Sequence, residues 1–318
     1  MAFNHIQLPR LDDFILNLQA NNFSEETAYN YERDLKTFER FISEDLNKQF
    51  DTLNKTDLLR FKAYMSSSDR QTANSGKSHQ KLGSFSINRV LSALRSYLKF
   101  LEEMDYKSPI SPTAIKLLKN EKKHARVPDM EEVLKILEAP NKYEDDDRVK
   151  LRNRALLETL FATGMRISEL LSLKANQIDK TGRIYIMGKG KKQRFVYLTS
   201  RAMEHINAYL LKRDSSSQML FVPYSGRNLN EKDKKLSTNY LQWKIKKYRE
   251  LLDINIPISA HTLRHCFATF LAESGANPAA IQILLGHESL DTTTRYVHAS
   301  DKYAEKAHHD FHPLFGKK

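Results

Sequence analysis

The stretch GRIYIMGKGKKQRFVYLT, residues 182–199, changes the period of the chain from a helical one of roughly 3.6 to a strand-like one of about two. Ile184 and Ile186 precede a Gly-Lys-Gly centre, and Phe195 and Tyr197, with Val196 and Leu198 between them, follow it. Alternation on both sides of a glycine-rich centre predicts a two-stranded hairpin with a basic tip. On either side of it the apolar residues return to helical spacing, so the chain is expected to be mainly α with a small β-sheet in its second part.

Working outward, RVKLRNRALLETLFATG (148–164) reads as a helix closed by Gly164, and RAMEHINAYLLKR (201–213) and YLQWKIKKYRELL (240–252) follow the hairpin as helices. HTLRHCFATFLAESG (261–275) is closed by Gly275, and Pro278 suits the first turn of the next helix. Toward the N-terminus, Ser24 is a good N-cap for a helix carrying Tyr31, Leu35, Phe38 and Ile42. Thr56 is expected to open a shorter helix with Leu59 and Ala63 inward. FSINRVLSALRSYLKFLEEM (85–104) carries Ile87, Val90, Leu91, Leu94, Leu98 and Leu101 as an apolar stripe. Residues 120–129, NEKKHARVPD, are charged and end near a proline, which puts a domain boundary there and predicts domains over residues 1–122 and 123–318.

A chain of 318 residues exceeds the size at which one core usually stops growing, in keeping with two domains. With 40% apolar and 28% charged residues it has the composition of a soluble globular protein, and no apolar run approaches the roughly 20 residues that span a bilayer. Residues 1–14 lack the basic-then-apolar pattern of a secretory leader. Cys266, the single cysteine, excludes an intramolecular disulfide and reads as a small buried hydrophobe, so a cytoplasmic protein is expected. The net charge of +12 invites a polyanionic partner, and most of it lies after residue 125, where 32 Lys and Arg face 23 Asp and Glu.

Several side chains suit phosphate chemistry, each with a plainer reading beside it. His261 and Arg264 are three apart at a helix start and share a face, where they can hold one oxyanion or serve structure alone. Lys189 sits between two glycines at the hairpin tip, with Lys191, Lys192 and Arg194 beside it; it can meet a phosphate or simply point into solvent. Arg166, in ATGMRISELLSL, needs an anionic partner if partly buried, and either Glu169 or a substrate phosphate can be that partner. His287 lies at the end of IQILLGH, beyond an apolar helix and nine residues before Tyr296. In the N-terminal part, Asn88, Ser92, Arg95 and Lys99 recur at spacings of four, three and four opposite the apolar stripe, a row that fits either a DNA backbone or a solvated face. The tail HHDFH (308–312) has metal-ligand residue types but reads as packing or solvated tail, so no metal is expected. Two arginines, a lysine, two histidines and a tyrosine together fit transfer of a phosphodiester to a tyrosine without metal. Arginine forks match the charge growing on phosphate oxygens, a base must activate a phenol of pKa about 10, and a cationic acid can protonate the leaving oxygen.

Four boxes, ATGMRISELLSL, GKGKKQRFVYL, HTLRHCFATFLAESG and LLGHESLDTTTRYVH, resemble those of the tyrosine recombinases, most closely their simple Xer-type members. They span residues 130–300 almost continuously. The resemblance implies a helical core-binding domain followed by a mixed α/β catalytic domain, the two forming a clamp around DNA. It implies that Arg166 and Arg264 hold the scissile phosphate, Lys189 protonates the leaving 5′ oxygen, His261 transfers a proton, His287 supports the phosphate and Tyr296 is the nucleophile. Asn88, Arg89, Ser92, Arg95, Lys99, Lys191, Lys192 and Arg194 are the expected DNA contacts. The product would be a 3′-phosphotyrosyl link and, through a Holliday junction, recombined DNA, with no cofactor and no ATP. The implied partners are double-stranded recombination sites, a homotetramer on two duplexes with a dimer per site, and a DNA translocase as activator. DKYAEKAHHDFHPLF (301–315) is the candidate helix for docking on a neighbouring subunit.

Two departures stand out: the polar segment of residues 68–85 is longer than the family's loop, and Tyr197 stands where a proline often follows the hairpin valine. Resolution of chromosome or plasmid dimers is the expected role. An integrase of a mobile element, a DNA-binding relative that has lost cleavage, and a type IB topoisomerase are the alternatives.

Overall fold

The computed structural model describes residues 7–67, 81–119, 126–187, 193–226 and 234–286. The chain divides into two compact units, Met1–His124 and Ala125–Lys318.

The first unit is helical, with α1 (Leu11–Ala20), α2 (Glu25–Arg40), α3 (Lys55–Ser66) and α4 (Ser84–Glu103), and α2 runs on into a π-helical turn, Phe41–Asp45. Ser24 caps α2 by accepting the Thr27 amide at 3.2 Å. The α2 stripe is inward, with Leu35, Phe38 and Ile42 buried. All six apolar positions of α4 noted above are also buried, and each large side chain removed from water stabilises by about 1.5–3 kcal/mol. Phe14, Phe38, Phe61, Tyr97 and Phe100 add tilted and edge-on ring pairs to this core.

One helix is phased differently from expectation. Asn54, not Thr56, is the cap of α3, in a reciprocal capping box with Asp57. Leu58, Phe61 and Met65 consequently face the core, while Leu59 is 64% exposed and Ala63 points outward. Asp57 is buried and paired with Lys48 at 2.9 Å, so the second link of the box also fixes the helix phase.

The second unit comprises α5 (Met130–Tyr143), α6 (Asp147–Thr163), α7 (Ile167–Leu171), the antiparallel strands β1 (Arg183–Met187) and β2 (Gln193–Tyr197), then α8 (Ser200–Lys212), α9 (Thr238–Leu251), α10 (Ala260–Glu273) and α11 (Pro278–Leu285). Its core joins Ile136 of α5, Leu156 and Leu160 of α6, Ile206 of α8, Ile245 of α9 and Leu263 of α10. Cys266 is fully buried in this core, and burial pushes its thiol up to about 12. In the hairpin Ile184 pairs with Val196 and Ile186 with Arg194, all four inward, while Phe195 and Tyr197 are exposed. The apolar character of Phe195 and Tyr197 had left this phase open, and burial of Val196 decides it. The hairpin tip, residues 188–192, lies outside the described residues.

Gly164 ends α6 at φ +57°, where a Cβ would stand 2.3 Å from the Phe267 ring of α10. This close approach brings α10 against the turn into α7. A small apolar cluster of Ala268, Ala272, Ile281 and Leu285 then seats α11 on α10. Those two contacts decide what lies beside Arg166.

Candidate active site

Arg166 is the cap residue of α7, in extended conformation between Gly164 and the first helical turn. Its amide donates to Glu169 Oε2 at 2.7 Å and its Nη1 to Glu169 Oε1 at 3.1 Å. The remaining Nη2 donates to the Gly286 carbonyl at 3.3 Å, and the side chain is 36% exposed. Glu169 is therefore its protein partner, and part of the guanidinium still faces solvent.

Arg264, in the second turn of α10, is 4% exposed. Its Nη1 donates to the Gly164 carbonyl and its Nη2 to the Leu285 carbonyl, both at 2.6 Å. Arg194, reaching in from β2, donates through Nη1 and Nη2 to Glu169 at 2.9 and 2.7 Å and through Nε to the Leu284 carbonyl at 2.9 Å. Three arginines from three separate elements thus meet three successive carbonyls, Leu284, Leu285 and Gly286. These are the unpaired carbonyls and negative dipole end of α11, a natural seat for cations.

Glu169 is the carboxylate that bonds two of these arginines, Arg166 and Arg194. Two guanidinium groups, Arg166 and Arg194, share this one carboxylate, which leaves the pair with a surplus positive charge, and Arg166 presents part of it to solvent. Burial alone would raise the Glu169 pKa, but hydrogen bonds from Arg194 and from the Arg166 amide, with both positive charges, hold it below the usual carboxylate range. His261 lies on the outer side of the first turn of α10. Partial burial and the nearby charges of Arg264, His265 and Arg166 lower its pKa, which keeps the ring neutral and able to accept a proton.

Lys189, Lys191, Lys192, His287 and Tyr296 lie outside the described residues, as do the segments 68–80 and 301–315. Chain connectivity still bears on four of them: β1 ends at Met187 and β2 begins at Gln193, with Lys189, Lys191 and Lys192 between them in sequence, and Gly286, which accepts from Arg166, directly precedes His287. Among the described residues no group of three or more His, Cys, Asp or Glu is placed to hold a metal, and no helix is long and apolar enough to cross a membrane.

Three expected DNA contacts are committed to protein partners. Arg194 is 6% exposed on its side chain, and every guanidinium nitrogen is bonded, so it belongs to the interior. Asn88 is buried and exchanges both hydrogen bonds of its amide with the Leu118 backbone, at 2.9 and 2.7 Å. Arg95 donates to the Ile115 carbonyl. The row read as one open face of α4 is therefore partly covered by the returning segment 110–119. Arg89 stays 53% exposed, with one ion pair to Asp34 at 3.1 Å, and Lys99 is 67% exposed, paired with Glu103 one turn on. Ser92 is half-buried.

The arginine–carboxylate link between Arg194 and Glu169 was missed from sequence, although β2 carried a signal: counting by twos from Val196 puts Arg194 on the buried face. A second polar cluster gave no signal. Glu144 accepts from Lys244 at 2.5 Å and from Tyr248, while the Arg152 guanidinium lies 5.1 and 4.9 Å from the ring centres of Tyr224 and Tyr240. These partners are distant in sequence and join helices α6 and α9.

The family model of the phage integrase family matches residues 127–303, and that of its N-terminal SAM-like domain matches residues 11–104. The chain is 32% identical over 306 residues to tyrosine recombinase XerD of Staphylococcus haemolyticus, covering 91% of this chain and 93% of the relative. It is 33% identical to tyrosine recombinase XerC of Pelobacter propionicus, covering 93% of each. Among solved structures, the XerH site-specific recombinase bound to palindromic difH substrate in a post-cleavage complex superposes with a TM-score of 0.69 at 23% identity, over 96% of this chain and 90% of that one. A lambda integrase tetramer bound to a Holliday junction gives 0.67 at 18% identity, over 92% and 76%.

Proposed function

The chain belongs to the phage integrase family as a Xer-like tyrosine recombinase, and from that premise we propose how its own residues cut and rejoin DNA. The Tyr296 hydroxyl attacks the scissile phosphorus, a bond from phosphorus to the tyrosine oxygen forms, and the bond to the 5′ oxygen breaks. His261 takes the phenolic proton and Lys189 gives one to the leaving 5′ oxygen. Arg166 and Arg264 draw charge onto the non-bridging oxygens, and His287 supports them. Because the phosphodiester is exchanged rather than hydrolysed, attack by a 5′ hydroxyl on the phosphotyrosyl link reverses the step with no ATP and no metal. The observation that carries this reading is the half-open Arg166, which shares one carboxylate with Arg194 and, with Arg194 and Arg264, is bonded to the end of α11, one residue before His287. A surplus of fixed positive charge suits an extra phosphate charge in the transition state.

The same reading assigns residues 1–122 to DNA binding, with Arg89, Ser92 and Lys99 as backbone contacts, and residues 123–318 to catalysis, with Lys191 and Lys192 near the duplex. It takes the protein to act in the cytoplasm as a tetramer on two duplexes, with residues 301–315 docking between subunits and a DNA translocase as activator. Resolution of chromosome or plasmid dimers is the role that fits likeness to XerD and XerC relatives over nine-tenths of the chain.

The test uses nicked duplexes of randomised sequence, from which a short fragment diffuses away after cleavage and leaves the protein covalently attached. Wild type is expected to accumulate an adduct on a selected subset of sequences, and Tyr296→Phe to bind that subset without forming one. A wild type that binds as Tyr296→Phe does and yields no adduct would reduce the protein to a DNA-binding relative. Adducts with no sequence preference would indicate a topoisomerase instead.

A further inference from the structure

We propose that Arg194 is a positioning residue for strand transfer: it ties the hairpin that bears Lys189 to Arg166, through Glu169, and to the end of α11. This deepens the recombinase reading and rests on it.

The observation behind it is the placement of a charged side chain where strand alternation calls for an apolar one. Arg194 stands opposite Ile186 on the face of the hairpin that also buries Ile184 and Val196. A buried guanidinium is tolerated only when its charge and its donors are matched, and here all three nitrogens are. Two donate in parallel to Glu169 and the third to the Leu284 carbonyl. Only an arginine fork makes that combination, since a lysine carries one nitrogen to the same place. The site is also built closely around the stem: Gly286 has φ +64°, and a Cβ there would stand 3.0 Å from Arg194 Cδ.

The consequences reach two groups of the reaction. Glu169 aims Arg166 through the Arg166 amide and Nη1, and Arg194 fixes both oxygens of that same carboxylate. The Leu284 carbonyl that takes Arg194 Nε lies in the last turn of α11, two residues before Gly286, after which the chain enters His287. With all three guanidinium nitrogens bonded to protein, Arg194 acts through its neighbours. It sets where Arg166 points and where α11 ends relative to β2.

The experiment measures, on the full chain, the rate of adduct formation and the affinity for one nicked duplex chosen by the wild type from the randomised pool. The variants are Arg194→Gln, Arg194→Lys, Glu169→Gln and the Arg194→Gln/Glu169→Gln double. Arg194→Gln is expected to hold the duplex as wild type does while the adduct rate falls about 100-fold, as for a small misplacement of a reacting group. Arg194→Lys, which returns the charge and one donor, recovers part of the rate. The double variant is no slower than the slower single, because both act through one contact. A wild-type rate in Arg194→Gln, an equal loss of binding and cleavage, or additive effects in the double overturns the proposal. Should Arg194→Gln fail to fold, Arg194→Lys decides: full rate overturns the proposal, and a folded, binding but slow protein supports it. A wild type with no adduct on any duplex fails earlier, at the recombinase reading, and takes this proposal with it.

Discussion

Arg194 donates two parallel hydrogen bonds, at 2.9 and 2.7 Å, to Glu169, a residue 25 positions earlier in the chain. Both side chains are almost fully buried, at 6% and 7% exposure, so neither can be removed without stranding the other. This pair joins the hairpin to the start of α7 and sets the orientation of Arg166 beside it.

Glu169→Ala is expected to lower the stability of the second unit by about 3–5 kcal/mol, because it leaves a buried guanidinium without its counter-charge. A urea titration followed by tryptophan fluorescence reads this, Trp243 being the single tryptophan and lying in that unit. A midpoint unchanged from wild type would mean that Arg194 finds solvent or another anion, contrary to the geometry described.

The same carboxylate predicts a pH dependence. The folded pKa of Glu169 is held below its ordinary value of 4.5, despite burial, by Arg194 and Arg166. The stabilisation is therefore fully present above that ordinary value and is lost as pH falls through the lower, folded one. Urea midpoints should decline on acidification below about pH 4.5, and less steeply in Glu169→Gln than in wild type. Equal slopes in the two proteins would assign the acid loss to other carboxylates.

Arg166→Lys is expected to slow adduct formation by about 100- to 1000-fold, the usual cost of losing one preorganised donor to a developing oxyanion. Its side chain is partly exposed, so the folded protein and its hold on the duplex should survive better than the rate. Parallel gel-shift and adduct time courses make the comparison, and equal losses in both would deny Arg166 a transition-state role.

Asn88 and Lys99 separate packing from DNA contact on α4. Asn88→Ala removes both bonds to the Leu118 backbone and should cost about 1–3 kcal/mol of stability with little change in the salt dependence of DNA binding. Lys99→Ala should leave the melting temperature in place and reduce the slope of log affinity against log salt by about one. The reverse pattern would put Asn88 on the DNA.

The helices of α2 and α4 were legible because their burial follows a local period, and the hairpin because its period is different. The phase of α3 was not: Asn54 and Thr56 both qualify as caps, and choosing between them needs the contact of Asp57 with Lys48. The open face assigned to α4 failed for a similar reason, since no periodicity announces that residues 110–119 fold back over Asn88 and Arg95.

The sequence by itself determined the chemistry on offer: the arginines, histidines, lysine and tyrosine in four boxes, the helix ends at Gly164 and Gly275, and the alternation of the hairpin. Only the tertiary structure decided which of those charges is free to meet a phosphate. Arg194 proved interior and Arg166 half-open because their partners are carbonyls of α11 lying 90 and 120 residues away, and Arg264 reaches a third carbonyl 21 residues on. Hydrogen bonds of that span leave no period in the chain, because they exist only once α10, α11 and the hairpin have packed together.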